Sequence, residues 1–494
     1  MLLVAGGLVA IALIDRAPTA AGAFIATAVF AGSVLLAVAP LGRHTAEEWA
    51  PIAASFALGR INGRSRFRSP LPEQGMRLHA PSSSGTLDPS SGTLDPSSGT
   101  LRTSSSRVLA LDEPTPVAPP SLTAVRILAA TYRDRSIGLL CEQRGRLLTA
   151  VLACRVASFS LLDAEAQERR LARWGLVLSG AASTAIRRIQ WVERTAPAQA
   201  DELARWLHAE RDPAIPLRGT PMIESYLQLI GTSASVAQEH EILIAVQVDT
   251  RRVRDRGADA PMRAAITEAE RVAQALEAAD VVVRGALSPG QLARALRTAF
   301  DPYARAELAA LQVADPARDG LVEYNAWPLG TDDSWDHYRS DGALHATYWI
   351  GGWPRIDVSP MFMDALLGRS SVVRSVAVTF EPIPPERSTR EVEAAITRDR
   401  ADSDLRRRFG QAETARQRQA QDATMRREAE LAAGHSEVRI AGYVTVSGRD
   451  REDLRRASAE VLEHAARARL ELHRMYGQQA DAFTFTLPMC RGLR

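Results

Sequence analysis

The sequence predicts an α+β protein with a transmembrane helical hairpin at its N-terminus, followed by cytoplasmic split β-α-β units and a long charged helical arm. Three observations carry this. Two apolar stretches lie close together at the start of the chain, Leu2–Ile14 and Ala20–Ala39. Further on, short β-prone runs alternate with amphipathic helical patterns. Between two late strands lies Thr389–Ala433, rich in Arg, Glu, Gln and Ala and poor in apolar residues.

The apolar stretches read LLVAGGLVAIALI and AAGAFIATAVFAGSVLLAVA, parted by Asp15, Arg16 and the turn Ala17-Pro18-Thr19. A hydrocarbon core of ~30 Å needs about 20 predominantly apolar residues. The second stretch meets that alone, while the first is read as a short helix or one lacking its leader. A secretory signal peptide cleaved near Ala20-Ala21-Gly22-Ala23 is the competing reading, but no basic segment precedes Leu2. Buried soluble helices are the third reading, and the uncharged run is too long for that. Arg43, Arg60, Arg64, Arg66 and Arg68 follow the second stretch, against Glu47 and Glu48. Basic excess marks the cytoplasmic flank, so the chain is expected in the inner (plasma) membrane, in contact with lipid, with its C-terminal region cytoplasmic.

The chain of 494 residues has room for two or three domains. Its formal charge of +2 argues against bulk electrostatic binding, and no direct nucleic-acid contact is expected. All 60 Lys+Arg residues are Arg. That excludes a phosphate-loop lysine, a Schiff-base lysine and a Ser-Lys pair. Cys141, Cys154 and Cys490 show no CxxC spacing, so neither a zinc site nor a disulfide framework is expected. No cofactor is predicted.

Taken in order, residues 1–42 form the membrane hairpin and 43–78 a juxtamembrane segment. Within it Glu47–Ile61 is an amphipathic helix, with Trp49, Ile52, Phe56 and Leu58 with Ile61 spaced for one face, expected to lie along the inner membrane face with Trp49 at headgroup depth and a basic segment behind it. Residues 79–120 are a linker. Ser83-Ser84-Gly85-Thr86-Leu87-Asp88-Pro89 recurs as Ser90–Pro96 and begins again at Ser97. Its Pro, Gly and low apolar content predict disorder over 79–106. Arg107–Asp112 is a candidate strand, and Pro114–Pro120 is stiff.

A first α+β domain is expected over 121–320. Val125–Tyr132 is a strand, and Ser136–Glu142 and Leu147–Val156 form a hairpin around Gln143-Arg144-Gly145. Ala164–Ser183 is a helix that buries Leu171, Trp174, Leu178 and Ala182. Strand Ala185–Val192, helix Pro197–Arg211 and strand Glu241–Asp249 follow, then helix Ala260–Ala279 and strand Val281–Leu287. Helix Ser288–Phe300 starts on a Ser cap with Pro289 behind it.

The second domain, 321–494, repeats the theme. Its strands are Ala343–Ile350, Ser371–Glu381, Glu437–Val446 and Ala482–Leu487, with a short helix at Pro360–Leu367 and a long one at Glu452–Met475. The alternation predicts split β-α-β units of ferredoxin-like type. The arm, 389–433, has a thin apolar stripe of Val392, Ile396, Leu405, Phe409 and Met425. It reads either as a solvated helical hairpin or as a docking arm.

The densest chemical cluster is Thr331–Asp341 (TDDSWDHYRSD). It holds carboxylates, His337 and Tyr338, but no second metal-ligand pair and no nucleophile motif. Glu239-His240-Glu241 is no better, because neighbours on a strand point to opposite faces. A structural or interface role is expected, and no enzyme activity.

Several blocks resemble an actinobacterial integral membrane protein family encoded beside conjugation-type secretion ATPases. They are the two apolar stretches, Leu148–Leu152, Phe159–Gln167 with Trp174-Gly175, Trp191–Thr195, Ser334–Arg339, Tyr476–Phe483 and Leu487-Pro488. The second half is also similar to the N-terminal, non-motor part of type IV secretion ATPases, where a Gln…Ala-Phe…Leu-Pro block precedes the motor; here the chain stops at Arg494. The resemblance implies a membrane-anchored, ATPase-lacking structural subunit of a conjugation or type IV-like secretion machine. Such a subunit docks a separate ATPase and other membrane subunits in an oligomeric complex. Trp335, His337, Tyr338, Tyr476, Gln479 and Phe483 are the candidate interface residues. The alternatives are a component like the E subunit of type VII secretion, which also has two N-terminal helices, and an enzyme using 331–341.

Overall fold

The computed structural model describes residues 44–69, 118–156, 159–197, 238–304 without 256, 326–408 without 355 and 369, 424–431 and 436–493, with a few isolated positions elsewhere. The two apolar stretches, the repeat linker, Arg107–Asp112, the helix expected after Pro197 and the middle of the arm lie outside these residues. Among the described residues no helix is long and apolar enough to cross a membrane.

A short antiparallel pair, Pro40–Leu41 against His44–Thr45, precedes helix α1 (Ala46–Ile61) and strand β1 (Arg66–Arg68). Then follow β2 (Arg126–Tyr132), β3 (Arg135–Glu142), β4 (Leu147–Val156), α2 (Ala164–Ala181), β5 (Ile186–Pro197), β6 (Gln238–Asp249), α3 (Ala260–Ala278), β7 (Val281–Ala286) and α4 (Pro289–Phe300). The second half holds β8 (Gly330–Asp333), β9 (Tyr338–Ser340), β10 (Ala343–Gly352), α5 (Asp364–Leu367), β11 (Val373–Pro382) and α6 (Pro385–Arg408). It ends with β12 (Val438–Gly448), α7 (Arg451–Arg467), β13 (Glu471–Arg474) and α8 (Gln479–Thr484).

Strands β1 to β13 join one antiparallel sheet, in the order β1-β8-β9-β10-β12-β11-β5-β6-β4-β3-β2, with β13 on β10 and β7 on β4. Two units with the same plan lie within it. The first runs β4-α2-β5-β6-α3-β7 and the second β10-α5-β11-β12-α7-β13. In each, the last strand borders the first, the third follows, and the second lies outermost. A hairpin precedes each unit, β2-β3 or β8-β9, and pairs with the first half of the opening strand; the closing strand takes the second half of the same edge. Both closing strands shift register there, between Ala153 and Cys154 and between Ile350 and Gly352. The units meet through β5 and β11, paired from Thr195↔Arg374 to Ile189↔Phe380. Arg188 and Glu381 add a largely buried ion pair across this seam at 2.8 Å.

Period-2 alternation gives the sheet two apolar faces. Leu139, Leu148, Ile189 and Val246 pack under α2 and α3, and Tyr348, Val376 and Val444 under α5 and α7. The opposite face, with Val151, Val192, Ala245 and Ala377, lies under α4, Phe483, Leu487 and Met489. Helix starts follow their caps. Asp163 accepts from the Ala166 N–H at 2.7 Å, and Ser288 and Gln291 complete a capping box.

Four sequence expectations are corrected. The helix expected over Glu452–Met475 ends at Arg467: Arg469 takes φ 58°, and the chain returns as β13 on the open edge of β10. Ala482–Leu487 is not a strand. Helix α8 ends at Thr484, and the segment crosses the face of the sheet, so Ala482, Thr484 and Thr486 are buried along with Phe483 and Leu487. Leu171 is 47% exposed, because α2 buries Val177, Leu178 and Ala181 instead. The helix expected from Pro360 is confined to Asp364–Leu367.

Of the arm, α6 begins at Pro385. Val392 is buried at its root, while Met425 of the stripe is 64% exposed. Arg427 joins Glu437 and, with Arg439, approaches Glu391.

Candidate functional site

The tip of the β8-β9 hairpin, the segment after β13 and helix α1 converge. The hairpin turns tightly, with the Ser334 N–H donating to the His337 carbonyl at 2.9 Å, which leaves Trp335 and Asp336 at the tip. The Trp335 ring lies 5.7 Å from Trp49 and 5.2 Å, edge on, from Phe56. Trp49 also meets Tyr476 at 6.0 Å. The Gly477 N–H donates to the Trp335 carbonyl at 2.7 Å, and Arg474 Nε donates to the Asp336 carbonyl at 2.8 Å. The Arg474 guanidinium stands 5.7 Å from both the Tyr348 and Tyr476 rings. Gly477 has φ +69°, and a Cβ there would lie 2.5 Å from the Trp335 ring and 2.9 Å from Ile52. A side chain at 477 is thus incompatible with this packing. Trp49 faces this aromatic cluster.

The remaining candidates are internal supports. Gln479 is fully buried. Its Oε1 accepts from the Thr347 N–H at 2.8 Å, and its Nε2 donates to the carbonyls of Met475 at 2.8 Å and Thr347 at 3.3 Å. Thr347 sits on the edge of β10 between its pairings to β9 and β13, so the amide stands in for a missing strand partner. Phe483 packs 5.0 Å from Phe300, 5.3 Å from Tyr338 and 4.7 Å from His345. Burial pushes the Tyr338 hydroxyl well above its ordinary range. Phe483 and Tyr338 are core residues rather than surface anchors.

The titratable groups of the 331–341 cluster do not converge. His337 is buried with Nδ1 2.7 Å from Asp336 Oδ1. Burial acts against the Asp336 carboxylate, but the His337 hydrogen bond and the charges of His337 and Arg474 hold it below its usual range. Asp341 pairs with Arg297 and accepts from the Leu329 and Gly330 N–H groups. Burial raises Asp333 to about 7 against the Ala480 N–H, which donates to it at 3.1 Å. One pair has the spacing of a nucleophile and base: Ser340 Oγ lies 2.8 Å from His345 Nε2. Both residues are fully buried, Ser340 Oγ is 2.6 Å from the Phe300 carbonyl, and burial lowers the imidazole to about 4. A substrate has no approach to this pair. Among the described residues no group of His, Cys, Asp and Glu is placed to hold a metal ion. At Glu239-His240-Glu241, His240 meets Glu193 at 2.8 Å and Glu241 meets Arg194 at 3.1 Å.

Trp49, Phe56, Arg474 and Gly477 were not singled out as site residues from sequence. Their signal was present only as helical spacing in α1 and a lone glycine after Tyr476. The arrangement is thus a packing cluster that fixes helix α1 to the second unit. No curated protein matches this chain. Residues 236–350, from β6 to β10, match the family described as "Putative type VII ESX secretion system translocon, EccE"; the match includes Trp335, His337 and Tyr338 and ends before Tyr476, Gln479 and Phe483.

Proposed function

We propose that this chain is a membrane-anchored, non-catalytic structural component of a type VII-like secretion machine, held in an oligomeric complex with other membrane subunits and a separate ATPase. The observation that carries it is the match of residues 236–350 to the EccE translocon family. The matched stretch runs from the first unit into the second and includes the hairpin that seats α1. The match favours the type VII alternative over the conjugation reading, whose blocks lie on both sides of the matched stretch and, with Ser334–Arg339, within it. Support for a structural role comes from the site itself, whose polar groups are spent on one another and on backbone partners and whose rings are packed together. The charged arm at 389–433 offers a sequence suited to a polar, reversible contact with the ATPase.

The test is co-purification of the tagged full chain from native membranes in a mild detergent, with the partners identified by mass spectrometry. Type VII-class membrane subunits and their ATPase are the expected company. Recovery of a conjugation-class ATPase in their place, or of the chain alone, overturns the proposal.

A further inference from the structure

We infer that the outward face of α1 lies on an anionic lipid surface, so that this helix is a clamp between the bilayer and the second unit. The inference rests on the membrane reading above and adds the surface and chemistry of the contact. Helix α1 is apolar on two sides. Trp49, Ile52 and Phe56 turn inward to Trp335, Tyr476 and Gly477. Ala50, Ala53, Ala54, Ala57, Leu58 and Ile61 turn outward and are exposed, Leu58 at 57% and Ile61 at 79%. The one hydroxyl among them, Ser55, donates to the Ile52 carbonyl at 2.9 Å and so does not make the face polar. Between Trp49 and Leu58 the helix carries apolar residues on both sides, with Glu47, Glu48 and Arg60 confined to its ends, and apolar residues on two sides are stable only where both are covered.

Two observations identify the cover. The 20-residue apolar stretch ends at Ala39, and only residues 40–45 separate it from α1. With that stretch in the membrane, the helix starts at the bilayer surface. Arg60, Arg64, Arg66 and Arg68, all exposed, follow the apolar face directly. Arg66 and Arg68 lie on one side of β1, which is fixed to the body through Gly330–Asp332, and Arg66 also pairs with Asp332 at 3.3 Å, so Arg64 and Arg68 are the arginines the inference assigns to headgroups. An apolar stripe bordered by arginines matches the acyl boundary and anionic headgroups of a cytoplasmic leaflet.

The experiment uses the full chain in lipid nanodiscs. Cys141 is replaced by Ser, and a single bimane-labelled cysteine is placed at Leu58, at Ala31 in the apolar stretch, or at Arg144 in the β3-β4 turn; Cys154 and Cys490 are buried. Lipids with a nitroxide high on the acyl chain should quench Leu58→Cys at least threefold more than Arg144→Cys. The quenching should weaken when phosphatidylglycerol is replaced by phosphatidylcholine, or in the R64Q/R68Q background. A Leu58 probe quenched no more than the Arg144 probe overturns the inference, as does an unlabelled Leu58→Cys variant that forms a disulfide with a second copy when a mild oxidant is added. The Ala31 probe reports separately. If it is unquenched, the membrane-anchor reading fails whatever Leu58 shows.

Discussion

Gln190 and Thr379 face each other across the β5-β11 seam, and both hold the same C-terminal segment. Gln190 Nε2 donates to the Phe485 carbonyl at 2.7 Å, and its Oε1 accepts from the Cys490 N–H at 2.8 Å. Thr379 Oγ1 donates to the Arg491 carbonyl at 3.1 Å. Gln247 reaches the Met489 carbonyl and Arg188 those of Cys490 and Leu493. The segment is thus a strap over the junction of the two units, seated on a row of polar side chains.

Gln190→Leu leaves the Cys490 N–H and the Phe485 carbonyl buried without these partners. At about 1–3 kcal/mol for each unsatisfied group, the loss is about 2–6 kcal/mol. Thr379→Val removes one hydrogen bond and costs about 1–3 kcal/mol. Urea unfolding of the full chain in detergent measures both. A Gln190→Leu variant as stable as the parent shows that the strap is held elsewhere.

What was legible in the sequence was local. The Ser288 cap, the Gln143-Arg144-Gly145 turn and the strand at Glu241–Asp249 depend on near neighbours, and each recurs in the structure. Where tertiary demand outweighed local pattern, the reading failed. The helical spacing of Glu452–Met475 continues past Arg467 with no Gly or Pro to stop it before Gly477, but β10 has an edge to fill. The alternation at Ala482–Leu487 loses its meaning in a segment buried on both sides. The candidate site was half legible. Trp335 and Tyr476 were named from separate blocks, and the chain brings them to one cluster through Trp49. Nothing local in Trp49 distinguishes a ring in a headgroup layer from one against another tryptophan.

Gly477→Ala tests that cluster. The residue has φ +69°, and the added Cβ meets the Trp335 ring and Ile52. The left-handed backbone alone costs about 1–2 kcal/mol, and displacement of Trp335 adds to it. The expected outcome is a lower unfolding midpoint together with a red shift of tryptophan emission as Trp49 and Trp335 gain water. Stability loss without the emission shift places the strain in the backbone alone.

Truncation before Ala118 removes α1 and β1. It strips the cover from Trp335 and Tyr476 and opens the edge of β8 that pairs with Arg66–Arg68. An uncovered edge strand next to exposed aromatic rings promotes association. The truncated chain should self-associate at concentrations where a chain beginning at residue 44 does not, as read by light scattering. Equal behaviour of the two shows that α1 and β1 do not protect this end of the sheet.

Asp333 gives the fold a pH dependence of unusual sign for a carboxylate. Burial raises it from 3.8 to about 7, the Ala480 N–H works against that rise, and the charges of Asp481 and Asp332 add to it while Arg60 opposes it. Between these two values the folded chain keeps a proton that the unfolded chain has lost, so this contribution to stability is complete below about 4 and is lost as the pH rises through about 7. His345 acts in the opposite sense. Burial lowers it from 6.5 to about 4, so its contribution is present above 6.5 and is lost as the pH falls through 4. From 4 to 6.5 the two slopes oppose each other, and near pH 7 Asp333 acts alone. Asp333→Asn keeps an oxygen for the Ala480 N–H and removes the titration. Its unfolding midpoint should match the parent's near pH 4, exceed it at pH 8, and fall on acidification with the His345 slope uncovered. A difference between variant and parent that stays constant from pH 4 to 8 assigns the pH dependence to other groups.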